Sequence, residues 1–120
     1  MKIYFAFIFI LTLLVNIQAQ TTYLNVNRIT FYDGRGNEIK HQREYNMVIK
    51  VSDVNLIISG GITFWFYGRV TRVNSTTLSQ MARPDDGSGN CEVLINNAVS
   101  HGVRVVIRWT NMIVAYDCDY

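Results

Sequence analysis

The sequence has little net charge and no stretch in which one sign of charge dominates. Its 11 Lys and Arg residues nearly balance 9 Asp and Glu residues, so the 120 residues carry a formal net charge of +2. A field this weak does not steer association with nucleic acid or with an anionic membrane surface. Beyond the start of the chain, no apolar run reaches the ~20 residues of a membrane-spanning helix. The sequence therefore predicts neither a nucleic-acid partner nor stable membrane insertion.

A specific catalytic, metal or cofactor motif is also missing. No G-x-S-x-G nucleophile elbow is present, and the Asp-rich loop over residues 85–90 lacks the register of an EF-hand. His41 and His101 do not have the spacing of a zinc site. We therefore predict a protein without enzymatic activity, metal or cofactor. The catalytic alternative is a small secreted hydrolase, ribonuclease-like, that pairs one of these histidines with Glu44 or Asp53.

Cysteine is scarce: Cys91 and Cys118 are the only two in the chain. In an oxidising compartment, a single pair favours one intramolecular disulfide. Such a bond would stabilise the fold by ~3.5 kcal/mol in the chain-entropy model. Two free thiols or an intermolecular bridge are the alternatives.

The one long apolar run stands at the start of the chain. Lys2 precedes the almost entirely apolar residues 3–15, and Ala19 supplies the small residue expected at a cleavage site. This order resembles a secretory signal peptide. We predict that residues 1–19 are a signal peptide and that residues 20–120 form a single secreted, extracellular β-domain.

β-Strand signals dominate that domain. Segments rich in β-branched and aromatic residues recur at roughly 8–12-residue spacing, as in a sandwich or barrel. In the first, the apolar phase shifts between Val26 and Ile29, which indicates a bulge or a break. The polar residues 39–44 favour a loop or a weak edge. The prediction is an all-β fold, a single small antiparallel β-sandwich or barrel of about seven strands.

At most one short helix is expected, near residues 75–82. Asn74 or Ser75 suits its N-cap, and Pro84 follows its end. The next residues, 83–90, have the composition of a loop. Thr110-Asn111 separates the last two strand segments and favours either a tight hairpin or one long bent strand.

The stretch GGITFWFYGRV, residues 60–70, places large side chains on both faces of one strand. With a period of two, Phe64 and Phe66 share one face, while Trp65, Tyr67 and Arg69 share the other. One interpretation is structural, a strand covered on both sides. The other is a recognition surface, because Trp, Tyr and Arg are enriched at binding sites.

Two further arginines extend the recognition hypothesis. Arg104 and Arg108 alternate with apolar residues on a later strand. If that strand lay beside residues 62–73, they would join Tyr67 and Arg69 in a basic patch for an anionic ligand. The solvated face of an antiparallel sheet accounts for the same arginines without a ligand.

The leading functional hypothesis is a secreted, non-enzymatic module that binds an extracellular glycan or protein partner. Its ligand-binding residues would be Trp65, Tyr67, Arg69, Arg104 and Arg108. A secreted defence or toxin-like effector acting on membranes is the alternative, although no amphipathic cationic helix supports it.

The triplet Asn74-Ser75-Thr76 fits the N-x-[ST] acceptor for N-glycosylation. It follows an export signal and lies in a turn-like context. We therefore predict that the domain is a glycoprotein with its glycan at Asn74.

Overall fold

Eight antiparallel β-strands, joined in chain order, close into a barrel. The computed structural model describes residues 21–97 and 102–119. The strands are β1 (Thr22–Asp33), β2 (Glu38–Val51), β3 (Asn55–Ile58), β4 (Thr63–Asn74), β5 (Thr77–Pro84), β6 (Cys91–Asn96), β7 (Gly102–Arg108) and β8 (Met112–Asp119). Pairing of β1 with β8 closes the ring. The predicted all-β class, a small antiparallel barrel, is confirmed.

The interior is filled by inward-facing apolar side chains. Phe64, Leu24, Ile49, Leu56 and Ile107 are the largest of those that are fully buried and hydrophobic. Their burial follows the period of two that a strand imposes on its side chains. The interior of an eight-stranded barrel is narrow enough for its own side chains to fill, and this one is filled in that way. A pocket of about 210 Å³, a volume that includes open solvent, lies between residues such as Val70 and Val93.

The predicted irregularity in the first strand is confirmed as a bulge. The register of β1 shifts between Val26 and Arg28 against both β2 and β8. The shift lets Val26 and Ile29 both point inward although an odd number of positions separates them. Residues 39–44, expected as a loop or a weak edge, belong to β2 and are almost all exposed.

The turns follow local chemistry. After β1, the Asp33 carboxylate accepts the backbone N–H groups of Arg35 and Asn37, and Gly36 adopts a φ of 85°. Between β7 and β8, the Trp109 N–H donates to the Met112 carbonyl at 2.8 Å. Of the two alternatives at Thr110-Asn111, the tight hairpin is therefore correct.

The short helix expected near residues 75–82 is not formed: Ser75 and Thr76 form a turn, and the residues from Thr77 onward belong to β5. The helix prediction rested on Asn74 or Ser75 as an N-cap, but the Asn74 Oδ1 accepts the Thr76 N–H at 2.9 Å in the turn of the β4–β5 hairpin. The same side-chain bond serves a helix N-cap and a turn equally well. Leu78 and Ala82 are buried, and β5 pairs with both β4 and β6. Strand pairing on both sides outweighs the local helical signal and raises the strand count from about seven to eight.

None of the described residues forms a helix with the length and hydropathy needed to cross a membrane.

Candidate functional site

The aromatic stretch divides its side chains between the two faces of β4. Phe64 is buried in the core at 1% exposure, and Phe66 packs against that core. Trp65 points outward with half of its surface exposed, at 50%, and Tyr67 is half-buried on the same side. Large residues occur on both faces because one set fills the barrel while the other lies on its outer wall.

The neighbouring strand β5 contributes two residues to this outer surface. Arg83 lies opposite Trp65 in the β4–β5 ladder, and Met81 lies opposite Tyr67. The Arg83 guanidinium carbon is 4.7 Å from the centroid of the Tyr67 ring. This is cation–π geometry, and it fixes the arginine beside the exposed indole. We call Trp65, Tyr67, Met81 and Arg83 the aromatic platform.

The charge of Arg83 is not compensated by an ion pair within the described parts of the chain. The three ion pairs found there are His41–Glu38, Arg104–Asp117 and Arg108–Glu92. Asp85, which follows the end of β5, accepts the Thr63 N–H at 3.2 Å. Arg83 therefore exposes its guanidinium N–H donors to solvent while it stacks on the planar ring of Tyr67.

Arg104 and Arg108 do not join the platform. They lie on β7, which pairs with β6 and β8, whereas β4 pairs with β3 and β5. The condition for a shared basic patch is therefore not met. Two whole strands separate them from Tyr67.

Both of these arginines are occupied by carboxylates. Arg104 Nε lies 2.7 Å from Asp117 Oδ1, and hydrogen bonding to that carboxylate raises the arginine's pKa further. Arg108 pairs with Glu92, which also accepts the Ser79 hydroxyl. Burial alone would raise the pKa of Glu92, but these hydrogen bonds and the Arg108 charge hold it below its ordinary value. The outer face of β7 is a neutralised surface.

Arg69 lies in a bulge of β4. The register against β5 shifts between Tyr67 and Thr71, and Gly68 within the shift has a φ of 75°. The Gln80 amide donates to the Gly68 carbonyl at 3.0 Å and holds the bulge. Arg69 is exposed there, outside the regular ladder that aligns Trp65 with Arg83.

The predicted disulfide between Cys91 and Cys118 is wrong: both are free and buried. Across the sheet, Asn96 of β6 lies opposite Arg104 of β7, and Arg104 lies opposite Asp117 of β8. Cys118, the next residue of β8, is therefore level with the position that follows Asn96. Cys91 begins the same strand β6 and lies at the opposite end of the barrel. Six positions at ~3.3 Å each separate them by ~20 Å, whereas a disulfide needs Cα atoms within about 7 Å.

The two thiols are poor nucleophiles. Burial, with the charge of Asp86, raises the pKa of Cys91 to about 11. Burial, with the charges of Asp117 and Asp119, raises the pKa of Cys118 to about 12. Thiolate is the reactive form, so neither residue is suited to nucleophilic catalysis or metal binding near neutral pH.

The other candidates remain apart from the platform. His41 Nδ1 lies 2.8 Å from Glu38 Oε2 in an exposed pair on β2, and His101 lies outside the described residues. Asn74, the last residue of β4, is exposed. Its glycosylation remains a prediction. Asp86 caps the Ser88 N–H in its loop at 2.9 Å. Over residues 21–97 and 102–119, no three His, Cys, Asp or Glu side chains form a metal-binding group.

Met81 and Arg83 were not predicted as partners of Trp65, because residues 75–82 were expected as a helix and residues 83–90 as a loop. A usable signal was present: Met81 and Arg83 alternate with Ala82 and Pro84 in the period of a strand. The buried Ala82 and Pro84 and their exposed neighbours show that alternation.

Comparison with models of known protein families, with curated proteins and with solved structures finds no match for this chain.

Proposed function

We propose that this protein is an exported, non-enzymatic binding domain that recognises an extracellular glycan or protein partner through the aromatic platform. The observation that carries the proposal is the half-exposed Trp65 beside an arginine that is stacked on Tyr67 and has no described ion pair. Relative to the sequence hypothesis, Arg83 takes the place of Arg69, Arg104 and Arg108.

The chemistry of the platform favours a ligand with a flat apolar face and a nearby anion. An indole ring offers a rigid surface for stacking on a sugar or a side chain at low entropic cost. The guanidinium offers paired donors that match a carboxylate or a sulfate. Uronic or sulfated sugars and acidic peptide segments share these features.

Export is supported by the apolar start of the sequence, which has the order of a signal peptide. The two thiols are compatible with an oxidising compartment because they are buried at opposite ends of the barrel. Mass spectrometry of the protein from the culture medium should find Gln20 as its N-terminus. A chain that stays in the cell with residues 1–19 attached would contradict export.

A glycan at Asn74 would leave the platform open. Asn74 and Trp65 lie at opposite ends of β4. Nine residues of strand place them roughly 25–30 Å apart. The same wall of the barrel therefore accommodates both the modification and a ligand.

The test is binding to an array of neutral, uronic and sulfated oligosaccharides, together with capture of extracellular proteins. Trp65→Ala and Arg83→Met should each weaken the binding found by about tenfold or more, as truncation of a central aromatic or arginine contact does. Arg83→Met keeps most of the aliphatic stem and removes the charged donors.

Tyr23→Ala is the matched control, since Tyr23 is 58% exposed and lies on β1, away from the platform. It should bind as the unaltered chain does. If Trp65→Ala and Arg83→Met retain full affinity for every ligand found, the platform is not the binding site.

A further inference from the structure

Among the residues that the structure describes, one stretch of the barrel wall has a neighbouring strand on one side only. The pairing of β2 with β3 covers only residues 49–51 of β2, with a backbone contact from Ser59 to Val48. Over residues 38–47, the described chain pairs Glu38, residues 40–43 and Met47 with β1 alone, while Ile39 and residues 44–46 fall at the two register shifts and oppose no β1 residue. Among the described residues, the side of this segment that faces away from β1 therefore has unpaired backbone N–H and C=O groups, the arrangement to which another strand adds.

This free edge carries large exposed apolar side chains at its two ends. Tyr45 is 83% exposed and Ile39 is 63% exposed, the two highest values among the large exposed hydrophobic residues described. Lys40 and Glu44 lie between them with opposite charges, and Gln42 lies midway. Read outward from Gln42, Lys40 mirrors Glu44 with the opposite charge, Ile39 mirrors Tyr45 as an apolar residue, and His41 mirrors Arg43.

That order makes the edge complementary to itself. In an antiparallel pair of two copies centred on Gln42, Lys40 of each copy faces Glu44 of the other. Ile39 likewise faces Tyr45. Each pairing occurs twice because a two-fold axis relates the strands. Opposite charges and apolar pairs across strands are the favourable combinations.

Neighbouring registers are less favourable. Centred on His41, the pairing sets Glu38 against Glu44 of the second copy. Centred on Arg43, it sets the two copies of Arg43 against each other. Like charges directly opposite each other oppose pairing, so the charge pattern selects one register.

Contacts within the chain leave this register available. The Gln42 amide donates to Glu44 Oε2 at 3.0 Å, so the other carboxylate oxygen remains for Lys40 of a second copy. Lys40 lies 5.1 Å from the Phe31 ring centroid and makes none of the ion pairs described.

We propose that two copies of this chain associate by antiparallel pairing of their β2 edges, centred on Gln42. The dimer joins the two barrel walls into one continuous sheet. The aromatic platform lies on β4 and β5, outside this interface, so the dimer presents two platforms. The proposal does not depend on what the platform binds.

A charge-exchange series measured by sedimentation equilibrium tests the pairing. Lys40→Glu and Glu44→Lys should each weaken dimerisation at least tenfold, because each places like charges opposite one another twice. The double variant Lys40→Glu/Glu44→Lys should return to within about threefold of the original dissociation constant. All three changes are at the surface, and unchanged circular dichroism and thermal unfolding would show that the fold is retained.

A cysteine placed on the two-fold axis tests the register. Gln42→Cys should cross-link to itself under mild oxidation, because directly opposed residues have Cα atoms about 4.5–5.5 Å apart. Glu38→Cys should not, since the two copies of residue 38 would be separated by ~26 Å along the strands. The native thiols, buried and with raised pKa values, do not contribute to the cross-link.

A chain that remains monomeric at millimolar concentration overturns the proposal. So does a dimer unaffected by both single charge changes, which assembles through another surface. Equal cross-linking of Gln42→Cys and Glu38→Cys overturns the register. Failure of the platform variants to alter ligand binding leaves these measurements unchanged, so the two proposals are tested separately.

Discussion

The two cysteines show how strongly position in the fold controls the chemistry of a single residue. Counted in the sequence, Cys91 and Cys118 make a natural pair. In the barrel they are separated by most of the length of a strand, and both face the apolar interior. Burial raises the pKa of each thiol to about 11 and about 12, respectively. They act as small core residues.

Alkylation with iodoacetamide at pH 8 distinguishes this arrangement from a disulfide. The folded protein should take up little reagent over an hour, because both thiols are enclosed and protonated. Unfolded in guanidinium without a reductant, it should gain two adducts by mass. A chain that gains none until it is reduced contains a disulfide, which would contradict two free thiols.

At the scale of elements, polar contacts on the outer wall connect three strands. Glu92 on β6 accepts the Ser79 hydroxyl from β5 and pairs with Arg108 from β7. Burial opposes ionisation of Glu92, but these bonds and the Arg108 charge keep its pKa below the ordinary value of 4.5. Because the folded pKa is lower than the unfolded one, this contact stabilises the fold above about pH 4.5. The contribution is lost as pH falls through the folded pKa.

Arg108→Ala should therefore lower the urea midpoint more at pH 6.5 than at pH 3. In the unaltered protein, acidification removes the stabilisation that the ionised Glu92 gives the fold. In the variant this stabilisation is already smaller, so acidification removes less. Arg35→Ala is the control, since it also removes one positive charge but lies in the exposed turn after β1. If the two variants give parallel stability profiles across this pH range, Glu92 is not coupled to Arg108.

At the scale of the whole molecule, the integrity of the barrel wall depends on close approach between β7 and β8. Gly102 begins β7 opposite Asp119, and a Cβ there would lie 1.9 Å from the Cys118 carbonyl oxygen. That oxygen is backbone and cannot move away as a flexible side chain does. Glycine is required at this position by space rather than by a left-handed φ.

Gly102→Ala should destabilise the barrel by ~3 kcal/mol or more, the upper range for forced overpacking. Urea unfolding followed by tryptophan fluorescence measures this. Gly61→Ala is the matched substitution, because its added Cβ would meet only an ordinary contact, 3.6 Å from the Ile58 carbonyl oxygen. Equal stabilities for the two variants would show that β7 and β8 do not approach so closely.

How much of this was predictable differs from element to element. The bulge near Val26 followed from a phase shift in the apolar residues of the same segment. That signal is local. The β5 segment was misassigned because Asn74 offers the same local bond to a turn and to a helix. The partners of that segment, β4 and β6, are what decide between them.

Part of the candidate site could also be predicted from local sequence, and part of it could not. The alternation in residues 60–70 was sufficient to place Trp65 and Tyr67 on one face. Their arginine partner was not predictable in this way, because it comes from another strand in a register fixed by the β4–β5 hairpin. Arg104 and Arg108 were assigned to the patch on the assumption that β7 and β4 are neighbours, which the barrel order excludes.

The all-β class, the alternation of each strand and the chemistry of the turns follow from the order of the amino acids, because these features depend on residues within a few positions of one another. Long-range packing is responsible for the closure of eight strands into a ring, for the placement of Cys91 and Cys118 at opposite ends, and for the stacking of Arg83 on Tyr67. Strand order and register arise from the packing of the entire interior. A local pattern contains no information about which distant strand will lie beside it.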